Sequence, residues 1–176
     1  MLAVRNGDLR QLGQLFERHH QHLYNFFLKH TSNREFSEDL VQDVFLRMLK
    51  YRHTYRGEGK FTTWMYRIAV NARIDAFRKF SADEQPLETA LSLRSEEPNP
   101  DELTEQDCEI ALLRKALGKL SPEKREVLIL SRFQGLKYEA IAEISGCKIG
   151  TIKARVFRAL KELSQIFFEL SGEALP

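Results

Sequence analysis

The strongest constraint on the fold is an interruption. Two stretches of helical apolar periodicity, each basic, flank an acidic stretch that holds three of the five prolines and no sustained apolar period. Residues 1–80 carry 14 Lys/Arg against 8 Asp/Glu, a net of +6. Residues 81–109 carry Arg94 against ten acidic residues, a net of −9, together with Pro86, Pro98 and Pro100. Residues 110–176 return to a net of +5, from 12 basic and 7 acidic residues. A chain of 176 residues, 43% of them hydrophobic, can close one modest core or two small ones. The pattern predicts an all-α protein of two small helical domains, 1–80 and 110–176, joined by a flexible acidic linker, 81–109. It excludes a large multidomain enzyme.

Composition removes other classes. The longest apolar runs are four residues, as at 127–130, whereas a membrane span needs about 20. No charged leader precedes a hydrophobic stretch, so the expectation is a cytoplasmic protein with no membrane insertion. The two cysteines, Cys108 and Cys147, match no CxxC spacing and support neither a zinc site nor a disulfide scaffold. Two cationic lobes on an acidic tether fit a shared polyanion, because Lys/Arg neutralisation of phosphates dominates nucleic-acid affinity. An ordinary solvated linker explains the same charges, and charge alone leaves both readings open.

In the first lobe, Asp8 is placed as an N-cap for a helix to residue 29 whose stripe is Leu9, Leu12, Phe16, Leu23, Phe26 and Phe27. Its polar side holds His19, His20 and His22, with His30 beyond; no partner at a ligand step accompanies them, so no metal site is expected. Ser37 opens a second helix, to residue 50, with Leu40, Val41, Val44, Phe45, Met48 and Leu49 on one face. The opposite face sets Leu46 among Asp39, Gln42 and Asp43. That is the look of a small protein-docking patch, or of a scattered exposed leucine. Gly57 and Gly59 then break the helix in YRHTYRGEGKF, residues 51–61. Tyr55, Arg56 and Phe61 in this loop supply rings and cations that suit capture of unpaired bases. A third helix, 62–80, has Met65, Ile68, Ala69, Ala72 and Ala76 on one side and Tyr66, Val70 and Phe77 on the other, so it lies between neighbours. Trp64, Arg67, Asn71 and Arg78 form the remaining stripe. These residue types suit base faces, base edges and phosphates, unless Trp64 simply packs in the core with Arg67 snorkelling.

In the second lobe, Ile110, Leu113 and Leu117 repeat at helical steps. Ser121 and Pro122 then provide an N-cap and N1 proline for a helix to residue 134, stopped by Gly135. A short helix, 137–145, buries Ala140, Ile141 and Ile144 and ends at Gly146. A longer basic helix begins near Gly150 or Thr151, which makes a helix-turn-helix. Ile152, Val156, Ala159, Leu160 and Leu163 form its buried stripe. Ala154, Phe157, Arg158 and Lys161 point away from that stripe, flanked by Lys153 and Arg155. A solvent-facing ring among cations fits the major groove better than an ordinary charged surface does.

No nucleophile elbow, phosphate-binding glycine loop or acid/base pair appears, so no enzyme, cofactor or metal is expected. SEDLVQDVFLRMLK, YRGEGKFTTWMYRIAVNARIDAFRK and SPEKREVLILSRFQGLKYEAIAEISGCKIGTIKARVFRALKEL together resemble the core-binding, promoter-melting and promoter-recognition regions of extracytoplasmic-function (ECF) sigma factors, across about nine tenths of the chain. The resemblance implies a sigma-2 domain, a linker and a sigma-4 domain. It implies core RNA polymerase, promoter DNA and an anti-sigma factor as partners. Asp39, Gln42, Asp43 and Leu46 would dock on the polymerase. Tyr55, Arg56, Phe61, Trp64, Arg67, Asn71 and Arg78 would take the melted minus-ten element, and Thr151, Lys153, Arg155, Phe157, Arg158 and Lys161 would read the minus-35 element as duplex. Cys147 and Lys148 stand where Pro or Ser is frequent, and Ala154 where Ser is frequent; both departures bear on which sequence is read. After residue 163 the sequence leads one to expect only a short hydrophobic helix, 165–170. A free-standing helix-turn-helix regulator, with the first lobe as a dimerisation or ligand domain, is the competing reading.

Overall fold

A computed structural model of the protein describes residues 1–82 and 105–172. Among the described residues there are eight α-helices and no strand: α1 (Leu2–Arg5), α2 (Arg10–Thr31), α3 (Arg34–Lys50), α4 (Phe61–Ala82), α5 (Glu105–Lys119), α6 (Pro122–Leu128), α7 (Tyr138–Ser145) and α8 (Ile149–Ser171). A short 3-10 turn, Arg52–Thr54, precedes α4. The helices fall into two compact units, one built on α1 to α4 and one on the helices from α5 onward. The greater part of the expected linker, 83–104, lies outside the described residues.

The first unit closes on α2, α3 and α4, with α3 packed against both of the others. Leu23, Phe26, Phe27, Val44, Met48, Met65, Ala69 and Ala72 are sealed from solvent. The Phe26 ring meets Phe27 at 5.2 Å, His30 at 4.8 Å and Tyr66 at 5.5 Å, all edge-on, an arrangement that aromatic quadrupoles favour. Burial raises the Tyr66 hydroxyl pKa and keeps it protonated. As expected for a helix between neighbours, α4 buries Met65, Ile68, Ala69 and Ala72 on one side and Tyr66 and Val70 on the other. Ala76 and Phe77, nearer its end, are only partly covered.

Several local expectations need correction. The second helix starts three residues before Ser37: Asn33 is its N-cap, and its side-chain oxygen accepts from the Phe36 amide at 2.9 Å. Ser37 is instead buried within α3, where its hydroxyl donates to the Asn33 carbonyl and lies 2.8 Å from the Thr31 hydroxyl. The long first helix begins at Arg10, and the Asp8 carboxylate accepts from the Gln11 side chain, at 3.3 Å, in place of a capped backbone amide. Leu9 and Phe16, expected in the buried stripe, are exposed, whereas His30 is buried. Helix α1, too short to announce itself by periodicity, buries Val4 completely.

In the second unit, Leu117, Leu120, Val127, Leu128, Ile129, Leu130, Ile141, Ile152, Val156 and Ala159 make the core. Pro122 stands at N1 after Ser121, although the serine hydroxyl makes no capping bond. The helix expected to run to residue 134 is regular only to Leu128. Residues Ile129–Phe133 form a wider π turn, with the Gln134 amide on the Ile129 carbonyl. The Ser131 hydroxyl donates to the Val127 carbonyl at 2.6 Å, competing for that acceptor in the regular ladder. Ala142 is buried where Ala140 was expected to be. Residues 165–170 are the continuation of α8, not a separate helix.

A polar tie joins α3 to α4 at the surface. The Arg47 guanidinium donates to Asp43 at 2.9 Å and to Asp75 at 2.7 Å, and Asp75 accepts from Arg78 at 3.2 Å. The hydrogen bond from Arg47, helped by the charges of Arg47, Arg78 and Lys79, holds the Asp75 carboxyl below the usual carboxylate range. A depressed carboxyl pKa stabilises the fold above its unfolded value, and that contribution disappears as pH falls through the folded value. Acid unfolding of Arg47→Met should therefore lose part of its pH dependence below roughly pH 4. The check is thermal melting at stepped pH; parallel wild-type and variant profiles would show that the tie contributes nothing.

Candidate nucleic-acid interface

The loop between α3 and α4 gathers three rings that the sequence spaces over ten residues. Tyr55 lies 5.3 Å from Trp64 and 6.1 Å from Phe61, and Phe61 lies 6.2 Å from Trp64. Trp64 is partly covered on the first turns of α4 and lies outside the fully buried core. Its indole N–H donates to the Thr54 hydroxyl at 3.3 Å, which donates to the Tyr51 carbonyl at 2.8 Å, so the ring is oriented by a short relay. Behind the trio, His19 of α2 meets Phe61 at 5.1 Å. Burial, with the nearby His22 and Arg18, lowers the His19 pKa and favours the neutral imidazole. Arg56 is exposed in the same loop.

Along α4, Arg67 follows Trp64 by three residues and Asn71 by seven, and Asn71 is open to solvent. Arg78 completes the stripe and is engaged with Asp75. Ile74, which belongs to neither apolar side expected from periodicity, is 49% exposed between Asn71 and Arg78. It adds an aliphatic surface to an otherwise polar row.

The outer face of α3 carries Leu46 at 66% exposure. Asp39 and Gln42 are exposed around it, and Asp43 is partly covered by its bond to Arg47. Leu46 thus stands on a polar face where one of the two acidic residues, Asp43, is held in one orientation. Arg47 was absent from the expected site, although its i+4 relation to Asp43 was readable. Its partner Asp75 is 28 residues away and could not be found by spacing.

In the second unit, α7 ends on Gly146 in the left-handed region (φ +64°), which a side chain would strain, and the Cys147 amide caps the Ala142 carbonyl at 3.0 Å. The chain turns at once into α8. Phe157 projects from α8 at 72% exposure, with Thr151, Lys153, Ala154, Arg158 and Lys161 also exposed. The Arg158 Nε donates back to the Ala154 carbonyl at 3.3 Å. Arg155 differs from its neighbours: it is partly covered and paired with Glu123 of α6 at 3.1 Å. Lys124 of α6 pairs with Glu162 of α8, a second tie between the same helices. Among the described residues no group of three His, Cys, Asp or Glu could hold a metal ion, and no helix is long and apolar enough to cross a membrane.

Comparison with known proteins identifies the family. Residues 15–82 match the family model for sigma-70 region 2, and residues 110–163 match that for sigma-70 region 4. The chain is 30% identical to the RNA polymerase sigma factor CarQ of Myxococcus xanthus, over 98% of both chains. It is 29% identical to the ECF RNA polymerase sigma factor SigE of Mycolicibacterium smegmatis, over 91% of this chain; that protein is longer, and the match spans 63% of it. Among solved structures, it is similar to the sigma factor RpoE of Bartonella quintana, which was crystallised with the anti-sigma factor NepR. The TM-score is 0.72 at 27% identity, over 89% of this chain and 96% of that one. Sigma factors of this kind are not enzymes. The chain belongs to the sigma-70 family, as an ECF RNA polymerase sigma factor.

Proposed function

We propose that this chain directs core RNA polymerase to promoters by gripping each one twice, upstream as duplex and downstream as separated strands. The observation that carries this reading is the cluster of Tyr55, Phe61 and Trp64, solvent-accessible in part and followed on α4 by Arg67 and Asn71. Strand opening is uphill, so a ligand that binds only the open form pulls the equilibrium toward it. A ring cluster can stack an extruded base, and the Asn71 amide can hydrogen-bond its edge. Arg56, Arg67 and Arg78 would neutralise the phosphates of the held strand.

Upstream, the exposed face of α8 would enter the major groove. Phe157 offers apolar contact to thymine methyls or sugars, Arg158 a fork for a guanine edge, and Thr151, Lys153 and Lys161 contacts to phosphates. Arg155, held by Glu123, has less reach than its neighbours and would act from the rim. Asp39, Gln42, Asp43 and Leu46 on α3 would dock on the polymerase, with Leu46 as the desolvated centre of a polar patch. The first and second family regions would be the working domains, with boundaries at residues 1–80 and 110–176 about an acidic linker that nucleic acid repels. An anti-sigma factor would hold the chain inactive; the Bartonella quintana relative was crystallised in complex with one. The site of action would be the cytoplasm.

The following tests use the full chain with purified core RNA polymerase on duplexes selected by wild-type holoenzyme from a randomised library. Trp64→Ala and Asn71→Ala should slow opening of duplex promoters more than transcription from the same promoters pre-melted; equal defects on both templates contradict base capture. Arg158→Ala should cost about 1 to 3 kcal/mol and relax sequence preference upstream. A uniform loss over all sequences would make it a phosphate contact. Leu46→Asp should abolish co-elution with core polymerase while helical circular dichroism is unchanged, and retained association removes that face from the interface.

A further inference from the structure

We infer that residues 1–5, which lie outside the matched sigma-70 regions, act as a strut that holds the base-capture loop in its working shape, with Arg5 as a positioning residue. The inference rests on the base-capture reading for its consequence, but not for its geometry. Val4 is completely buried and anchors α1, which packs on α2. From that anchor two contacts reach the loop. The Arg5 guanidinium donates to the Tyr55 backbone carbonyl at 3.0 Å, across 50 residues of sequence. Leu2 lies against the α-carbon of Gly57, where a β-carbon would sit 3.1 Å and 3.3 Å from the two Leu2 methyls. Gly57 has φ +80°, a conformation that side-chain-bearing residues rarely adopt. The loop backbone is thus held at both ends of the Tyr55–Arg56–Gly57 segment. Tyr55 carries one of the three rings, so a shift of its backbone moves that ring relative to Phe61 and Trp64.

The loop has little else to define it. No side chain of residues 56–60 belongs to the core, and all five residues are exposed. A loop with two glycines and no buried side chain samples many backbone states, and pre-ordering one of them removes an entropic cost from capture. Arg5 was invisible to periodicity because α1 spans one turn, and its partner is an acceptor that every residue carries.

The experiment has a local and a functional arm, both on the full chain. In Arg5→Ala, amide hydrogen exchange over residues 55–59 should accelerate by roughly three- to tenfold, with α4 unchanged, and Arg5→Lys should restore part of the protection. Unchanged exchange over this segment overturns the strut. In the functional arm, holoenzyme with Arg5→Ala should open a 2-aminopurine-labelled selected duplex roughly three- to tenfold more slowly, with core affinity and upstream duplex binding at wild-type levels. Trp64→Ala is the reference for base capture. Slow opening in Trp64→Ala with wild-type opening in Arg5→Ala overturns the positioning role. Wild-type opening in both variants, with accelerated exchange in Arg5→Ala, overturns base capture and leaves the strut supported.

Discussion

Burial of α4 on two flanks is the constraint from which the first unit's surface follows. Met65, Ile68, Ala69 and Ala72 face one neighbour, and Tyr66 and Val70 face another. Alanine at 69 and 72 lets the backbones approach, and the larger side chains close the sides. Once both flanks are covered, the helix has one narrow stripe left. Trp64, Arg67, Asn71, Ile74 and Arg78 occupy it, so their exposure is a by-product of packing and their chemistry is free to serve binding. An apolar replacement along this row would cost the fold little, whereas a charge at Ala69 or Ala72 would enter the closed seam.

The second unit reaches a similar end by other means. Ile152, Val156 and Ala159 fix the rotation of α8 by burial alone. The Glu123–Arg155 and Lys124–Glu162 pairs add little free energy at a partly exposed surface, but they set where two long side chains point. Phe157 and Arg158 then face solvent on a helix whose rotation is settled by its own core. A helix fixed in this way gives up less entropy on docking than one that must reorient.

The Arg47 tie shows how a polar network can couple surfaces of different purpose. One guanidinium bonds the acidic residue beside Leu46 and the carboxylate that holds Arg78. A single cation therefore orients a side chain on the outer face of α3 and another on the exposed stripe of α4. The planar guanidinium serves Asp43 through Nε and Asp75 through Nη1, whereas lysine would have to bring both carboxylates to a single nitrogen.

Periodicity alone was enough for the long amphipathic helices, for the exposure of Leu46 and Phe157, and for the two-flank burial of α4, because each depends on angular spacing along one helix. The helix-turn-helix was legible too, since Gly135 and Gly146 punctuate the chain by their own backbone preferences. What spacing could not supply was any relation between elements. Ser37 resembles a cap by residue type, yet packing buries it and Asn33 takes the role. His30 continues a polar-looking row, yet it meets Phe26 edge-on in the core. Arg47 to Asp75, Arg5 to Tyr55 and Arg155 to Glu123 are meetings of residues 28, 50 and 32 positions apart. Side-chain direction along a helix is a local property of the chain, whereas the partner a side chain finds depends on how separate helices are brought together.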